Sequence, residues 1–279
     1  MEKDNLNKSL LRALRILSLF TPGRLESSLT EISELSGLAP ATCYRILSTL
    51  AQTKFLEKSK TSGKYRVGSQ AFTLGMLYLN VSDVLQYVDP VLDLVNELTG
   101  ERTALHVLES EHEHTLPIRG RDSTHAIRFI EPAGVNYMAH ATANGKILLS
   151  GLSHEELMKV CPSEDLPQHT PSTISSRGDL LRELEQIRAT GVAFNDGESV
   201  THLWAVASPV RNSEGQIVAS LSVAAPSIRV DVPLRRRLTS LVEAAGRLAS
   251  HRLGWRATAA PSPTEEDLRS LWATEQGHV

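Results

Sequence analysis

Residues Leu38–Leu50 read LAPATCYRILSTL, and Phe55–Gly68 read FLEKSKTSGKYRVG. In the first stretch Leu38, Cys43, Ile46, Leu47 and Leu50 recur at helical spacing, which gives a helix with one packing side. Thr42, Tyr44, Arg45, Ser48 and Thr49 fall on the other side. Pro40 suits the first turn, where its missing N–H costs little. A shorter helix precedes it over Glu31–Ser36, opened near Thr30 and broken by Gly37, with Ile32 and Leu35 expected inward. Two short helices joined through Ser36–Ala39 fit a helix-turn-helix. Ala41 and Thr42 are small enough for close approach to base edges, and Arg45 reaches bases or phosphate. The second stretch reads as strand, tight turn at Ser62-Gly63, strand. Its lysines gather at the tip and would lie along a phosphate backbone. The pair predicts a winged helix-turn-helix. Its candidate DNA contacts are Pro40, Ala41, Thr42, Tyr44, Arg45 and Thr49 on the helix, with Lys58, Lys60 and Lys64 on the wing.

Upstream, Ser9–Phe20 has the spacing of an amphipathic helix, with Leu10, Leu14, Leu17 and Phe20 on one expected inward face. Downstream, Ser69–Leu79 (SQAFTLGMLYL) predicts a helix that links this head to the rest of the chain. The charge distribution agrees. Pooled over 279 residues the net charge of -3 would argue against a polyanion partner, but that argument does not survive division of the chain. Residues 1–80 hold 11 Lys and Arg against 6 Asp and Glu, a net of +5, while residues 81–279 hold 18 against 26 and all ten histidines. A basic head on an acidic body localises the expected nucleic-acid surface. At 41% hydrophobic and 22% charged residues the composition is that of a folded chain rather than a disordered one. No apolar run suits a membrane span. The N-terminus lacks the apolar core of a secretion signal, so the cytoplasm is the expected location. Cys43 and Cys161 make no disulfide framework.

Three stretches together resemble the IclR family of bacterial transcriptional regulators. They are the helix and wing just quoted, His140–Leu149 (HATANGKILL), and Gly191–Asp196 (GVAFND) with Ala207–Val210 (ASPV) and Ala219–Pro226 (ASLSVAAP). The likeness covers about residues 8–254. It implies a winged helix-turn-helix over 1–68, a linker helix over 69–82 that supports dimer contacts, and a GAF-like effector-binding domain over 83–254. Residues 255–279 remain as a flexible tail with one short helix at Thr264–Trp272. The chain departs from the family pattern at several positions. Ala39, Pro40 and Ala41 stand where a proline, a basic residue and a serine are usual, and Tyr44 where a histidine is frequent. Asn136 replaces a common arginine, and Asn144 a leucine or methionine. Ala205 and Ala224 stand where a cysteine and a serine are frequent.

The body reads as α+β. A helix over Asp83–Leu98 is followed by strands at Thr103–Glu109, His114–Arg119 and His125–Ile130. Helices follow at Thr142–Leu152, His154–Lys159 and Ser176–Thr190, then strands at Leu203–Val210 and Ile217–Ala224 and a long helix over Asp231–Leu253. The resemblance places effector contacts at Ile127, Ala143, Asn144, Asn195 or Asp196, Leu203, Ala205, Ser222 and Ala224. Met138 enters with the loop that leads into the helix of residues 142–152, and Trp204 either closes the pocket or packs in the core, as the strand alternation decides. The small, weakly charged lining suits a short carboxylate, semialdehyde or lactone. N–H groups at the helix start near Ala143 are one anchor for an acid; Arg128 is either a second one or a solvent-facing residue between Ile127 and Phe129.

Catalytic signatures are missing: there is no Gly-x-Ser-x-Gly and no His-Glu-x-x-His. His112 and His114 among Glu109, Glu111 and Glu113 read as a solvated hairpin turn rather than a metal cluster, and no cofactor is expected. The reading is a ligand-responsive regulator, a repressor of catabolic genes, not an enzyme. Its partners would be a pseudo-palindromic double-stranded operator, a small effector, and further copies of itself as a dimer and dimer of dimers. The alternative is an enzyme or small-molecule-binding protein whose head serves protein interaction.

Overall fold

The computed structural model describes residues 6–21, 23–80, 83–109, 113–130, 137–256 and 262–274. The chain divides into two compact units. One holds residues 1–82 with 132–135, and the other the remainder.

The head begins with α1 (Lys8–Leu17), capped by the Asn7 side chain, which accepts from the Ser9 and Leu10 N–H groups. β1 (Glu26–Ser27) follows, then α2 (Leu29–Ser36) and α3 (Pro40–Gln52). The opening residue of α2 is Ser28 rather than Thr30. Its hydroxyl accepts from Glu31 N and the Glu31 carboxylate accepts from Ser28 N, a reciprocal capping box. Gly37 ends α2 at φ 68°, a left-handed conformation that glycine adopts without a Cβ penalty. β2 (Leu56–Lys58) and β3 (Tyr65–Val67) form the hairpin, and β1 joins as a third antiparallel strand in the order β1-β3-β2. Ile16, Ile32, Cys43, Leu47, Leu50, Leu56 and Tyr65 make the head core.

Two expected inward faces are only partly covered: Leu17, Phe20 and Ile32 pack in or on the head core, but the other members do not. α1 buries Ile16, while Leu10 and Leu14 are 57% and 51% exposed. α1 has apolar residues on two sides, and the three-helix head has room to cover one. Leu35 is likewise exposed. α4 (Ser69–Asn80) follows the wing, and Gln70 N donates to Lys54 O.

The body is a six-stranded sheet in the order β6-β5-β4-β9-β8-β7, with every pairing antiparallel. In chain order it runs α5 (Asp83–Thr99), β4 (Arg102–Leu108), β5 (His114–Arg121), β6 (Tyr137–Met138), α6 (Ala143–Ser150), α7 (His154–Val160) and α8 (Arg177–Thr190). It ends with β7 (Ala193–Asp196), β8 (Leu203–Arg211), β9 (Ile217–Pro226), α9 (Val232–Arg252) and α10 (Glu265–Thr274). The expected strand at 125–130 does not form. Arg229 holds that stretch as a loop by donating to Ile127 O at 3.1 Å, while its other nitrogens pair with the buried Glu101. The sheet partner of β5 is instead β6, through His114↔Met138 and Thr115↔Tyr137.

α6 and α8 cover one face of the sheet; α5 and α9 pack on the other. Alternation along β8 sorts its side chains between these layers. Ala205 and Ala207 join the cluster with α6 and α8, while Trp204 meets Phe194 and Arg235 on the α9 side. Gly246 of α9 lies so close to β8 that a Cβ would come within 2.3 Å of Ser208 Oγ. In the stretch read as a tail, α10 packs on α9 and α5. Leu268 is buried, Trp272 lies under the Arg237 guanidinium at 3.9 Å, and Arg269 pairs with Glu97 at 3.1 Å. Trp255 sits 5.9 Å from the Arg211 guanidinium.

Candidate functional site

The head exposes one side of α3 beside α1. Pro40 occupies the first helical position of α3, and Pro40, Ala41, Tyr44, Arg45 and Thr49 are exposed, with Thr42 half-buried. Cys43, Leu47 and Leu50 anchor the opposite side. Thr49 Oγ1 donates to the Arg45 carbonyl one turn back. At the wing, Ser59 N donates to Lys64 O at 2.8 Å, and Gly63 turns at φ 68°. Lys58 and Lys60 are exposed and Lys64 is half-buried. Lys58 also lies 5.5 Å from the Tyr65 ring. The candidate contacts therefore share two neighbouring elements of one small core, as a reading helix and wing require.

In the body, a pocket opens between the sheet and the start of α6. Its floor follows from strand register. Arg102, Ala224, Ala205 and Asn195 are successive cross-strand neighbours over β4, β9, β8 and β7, and Ala104 sits across from Ser222. Arg102, Ala104 and His106 alternate onto this face of β4. Three of the floor residues are alanines, and the space that larger side chains would fill is the pocket. Thr142, Ala143 and Asn144 form the roof, with Tyr137, Phe129, Ser199 and Leu203 around the mouth.

The HATANGK segment sets that roof. A Cβ on Gly145 would come within 2.0 Å of Ala139 O, so only glycine lets α6 start against the preceding 3₁₀ turn, Ala139–Ala141. Thr142 caps the helix by accepting from Gly145 N at 3.0 Å, so that N–H is already committed. His140 Nε2 bonds Pro167 O at 2.9 Å, and burial holds its imidazole below the usual histidine range. Lys146 is buried and reaches Glu198 at 2.7 and 2.9 Å and Glu183 at 3.2 Å. Burial pushes the Glu198 carboxyl up, against the pull of Lys146. Glu198 N in turn donates to Asn195 Oδ1, and Asn195 Nδ2 donates to Ser199 Oγ. The buried ion pair thus fixes two pocket residues.

Of the residues expected around an effector, Ala143, Asn144, Asn195, Leu203, Ala205, Ser222 and Ala224 line this one pocket. Four lie elsewhere. Ile127 is 69% exposed, because only its carbonyl is used, by Arg229. Met138 faces a separate cavity with His140 and Cys161. Asp196 points away from Asn195 and pairs with Arg235 at 2.8 Å. Trp204, 1% exposed, lies on the α9 side of the sheet. Arg128 is exposed, and the cationic group at the pocket wall is Arg102, which also pairs with Asp122 at 2.5 Å. The readable signal for Arg102, Ala104 and His106 was their period of two on a strand whose buried faces differ.

Among the described residues no cluster of His, Cys, Asp or Glu could hold a metal, and no helix is long and apolar enough to cross a membrane.

Comparison with known proteins places both units. Residues 9–60 match the IclR helix-turn-helix domain, and residues 76–251 match the bacterial transcriptional regulator IclR C-terminal domain. The HTH-type transcriptional regulator XynR of Escherichia coli (strain K12) is 32% identical over 249 residues, covering 89% of this chain and 98% of its own. The acetate operon repressor of Salmonella typhimurium is 30% identical, covering 80% and 81%. The crystal structure of an IclR regulator from Silicibacter sp. TM1040 superposes with a TM-score of 0.77 at 28% identity, covering 92% of this chain and all of that one. An IclR homolog of Microbacterium hydrocarbonoxydans, solved in complex with 4-hydroxybenzoate, has the same fold, with a TM-score of 0.76 at 24% identity, covering 88% and 99%. These relatives are regulators rather than enzymes. With both units matched in order and at this coverage, the chain belongs to the IclR family of bacterial transcriptional regulators.

Proposed function

We propose that this regulator represses catabolic genes from a pseudo-palindromic operator, and that a small organic acid bound in the body pocket alters operator binding. The observation that carries the reading is the pocket itself: alanine-floored, with the Arg102 guanidinium, the Asn144 amide and the Ser222 hydroxyl on its walls. Ligand pockets are mostly apolar with a few directed polar groups, and a guanidinium is a preferred partner for a carboxylate. A short carboxylate, or a semialdehyde or lactone related to one, suits this lining. The 4-hydroxybenzoate held by the Microbacterium homolog is an acid of similar kind.

On DNA, Ala41, Thr42, Tyr44 and Arg45 read bases, Pro40 and Thr49 border the contact, and Lys58, Lys60 and Lys64 add a salt-dependent phosphate contribution. Two heads would pair through the exposed Leu10 and Leu14 side of α1, which the protomer leaves uncovered. Paired heads match a two-fold operator, and dimers would pair again through their bodies. The effector acts only by binding two assembly or spacing states unequally.

A mobility-shift titration with the DNA upstream of this gene and of its neighbours tests the reading. Sequence-preferring binding that weakens with salt and changes with an added short-chain or aromatic acid is expected. Equal affinity for operator and random DNA at every effector concentration would overturn it.

A further inference from the structure

Asn144 is 8% exposed, and its amide is only half used. Nδ2 donates to Ser222 Oγ at 2.9 Å, while Oδ1 is buried with no hydrogen-bond partner. Buried polar groups are almost always paired, and an unmade hydrogen bond there is costly. The resemblance puts leucine or methionine at this position, either of which would fill the roof with no such cost. Asn144 lines the cavity floored by Ala104, Ala205 and Ala224. Nothing apolar in that floor can satisfy it.

We infer that the effector carries a hydroxyl group which completes the hydrogen bonding of Asn144, so that this regulator selects hydroxylated acids over their unhydroxylated counterparts. The inference rests on the pocket being the acid site proposed above, and deepens it. A hydroxyl is the matching group on chemical grounds. It donates to Oδ1 as the amide now stands. If the amide turns over, Ser222 donates instead and the same hydroxyl accepts from Nδ2. An ether, ketone or halogen meets one arrangement at most.

Arg102 and Ser222 are diagonal neighbours on adjacent strands, because Ala104 is the direct partner of Ser222. Diagonal backbone positions on a sheet are about 7–8 Å apart, and the Arg102 guanidinium extends from there toward Gly120 and Asp122. A molecule that lies across the alanine floor can place its carboxylate toward Arg102 and its hydroxyl under Asn144.

Calorimetric titration of the full-length protein with matched acids is the test: lactate against propionate, 3-hydroxybutyrate against butyrate, and 4-hydroxybenzoate against benzoate. In at least one pair the hydroxylated acid is expected to bind roughly tenfold or more tightly, since its absence strands a buried amide. In Asn144→Leu that preference should vanish or reverse, with the unhydroxylated acid still bound. Arg102→Gln should weaken both members of the pair alike. Equal affinities within every pair that binds would overturn the inference and leave the acid pocket standing. So would a preference that survives in Asn144→Leu. Binding by none of the six acids would overturn the acid pocket and the inference together. The comparison of paired acids on the unaltered protein decides the matter even if the leucine variant fails to fold.

Discussion

Replacing Lys146 by methionine isolates the buried ion pair that supports the pocket. The lysine side chain is 1% exposed, and its partner Glu198 contacts it through both carboxylate oxygens at 2.7 and 2.9 Å. Methionine keeps most of the stem's packing, so the change falls on the charge. Glu183, on the more open side, can turn to water, whereas Glu198 cannot without breaking the loop that Asn195 and Thr173 hold. Removing one partner of a buried pair costs about 3–5 kcal/mol, a fifth or more of the 5–15 kcal/mol typical of a domain. A loss near the lower end is expected, since Glu198 keeps some contact with solvent. The dependence on pH has a definite sign. Burial already raises the Glu198 carboxyl above its ordinary range, and Lys146 opposes that rise; without Lys146 it climbs further. A carboxyl raised in the folded state favours folding below its unfolded pKa and loses that contribution as pH rises through the folded value. The deficit of Lys146→Met should therefore shrink between pH 7.5 and pH 5. Urea unfolding followed by circular dichroism, with the transitions of the two units fitted separately, measures it. Adding Glu198→Gln should restore most of the loss. A deficit below about 1 kcal/mol, one untouched by Glu198→Gln, or one that grows on acidification would refute the reasoning.

Three further outcomes are expected. Arg45→Ala should weaken operator binding by about 1–3 kcal/mol and flatten the preference for operator over random DNA, whereas Lys60→Ala should weaken both DNAs alike and lower the salt dependence; titrations at two salt concentrations show which. Gly145→Ala normally adds stability to a helix, but here the methyl would meet Ala139 O, and a loss of about 3 kcal/mol is expected in thermal unfolding; a gain would show that α6 does not start as described. Leu268→Ala should release α10, at a local cost of about 2–3 kcal/mol, and hydrogen exchange across residues 265–274 should then rise sharply while the sheet stays protected.

Most of the head was legible because its signals are local: helical spacing in α3, Gly37 after α2, and a glycine turn between two short strands. The exceptions share a cause. Leu10, Leu14 and Leu35 are apolar, and the sequence does not say how much surface a small head can cover. In the body, β8 and β9 were plain from their apolar runs, yet which side of each strand faced α6 required the third dimension. Ala205 and Trp204 are adjacent and serve opposite layers, as do Asn195 and Asp196. Arg102 and His106 follow the alternation of Ala104, so they enter the pocket with it. The apolar stretch 126–130 has strand propensity, but propensity ignores partners, and here Arg229 rather than a neighbouring strand takes the Ile127 carbonyl. The pairing of Lys146 with Glu198 spans 52 residues and left no local trace.

Each of the three tryptophans lies against an arginine: Trp204 on Arg235, Trp255 on Arg211 and Trp272 on Arg237. All three fall in the second unit. The protein's indole emission therefore originates in the second unit, with no tryptophan in the reading helix or wing. It sums contributions from the back of the sheet, the end of α9 and the seating of α10. A change in that emission on adding an acid would be a signal from the sensing unit alone. A change on adding DNA would be one that had travelled there from the head.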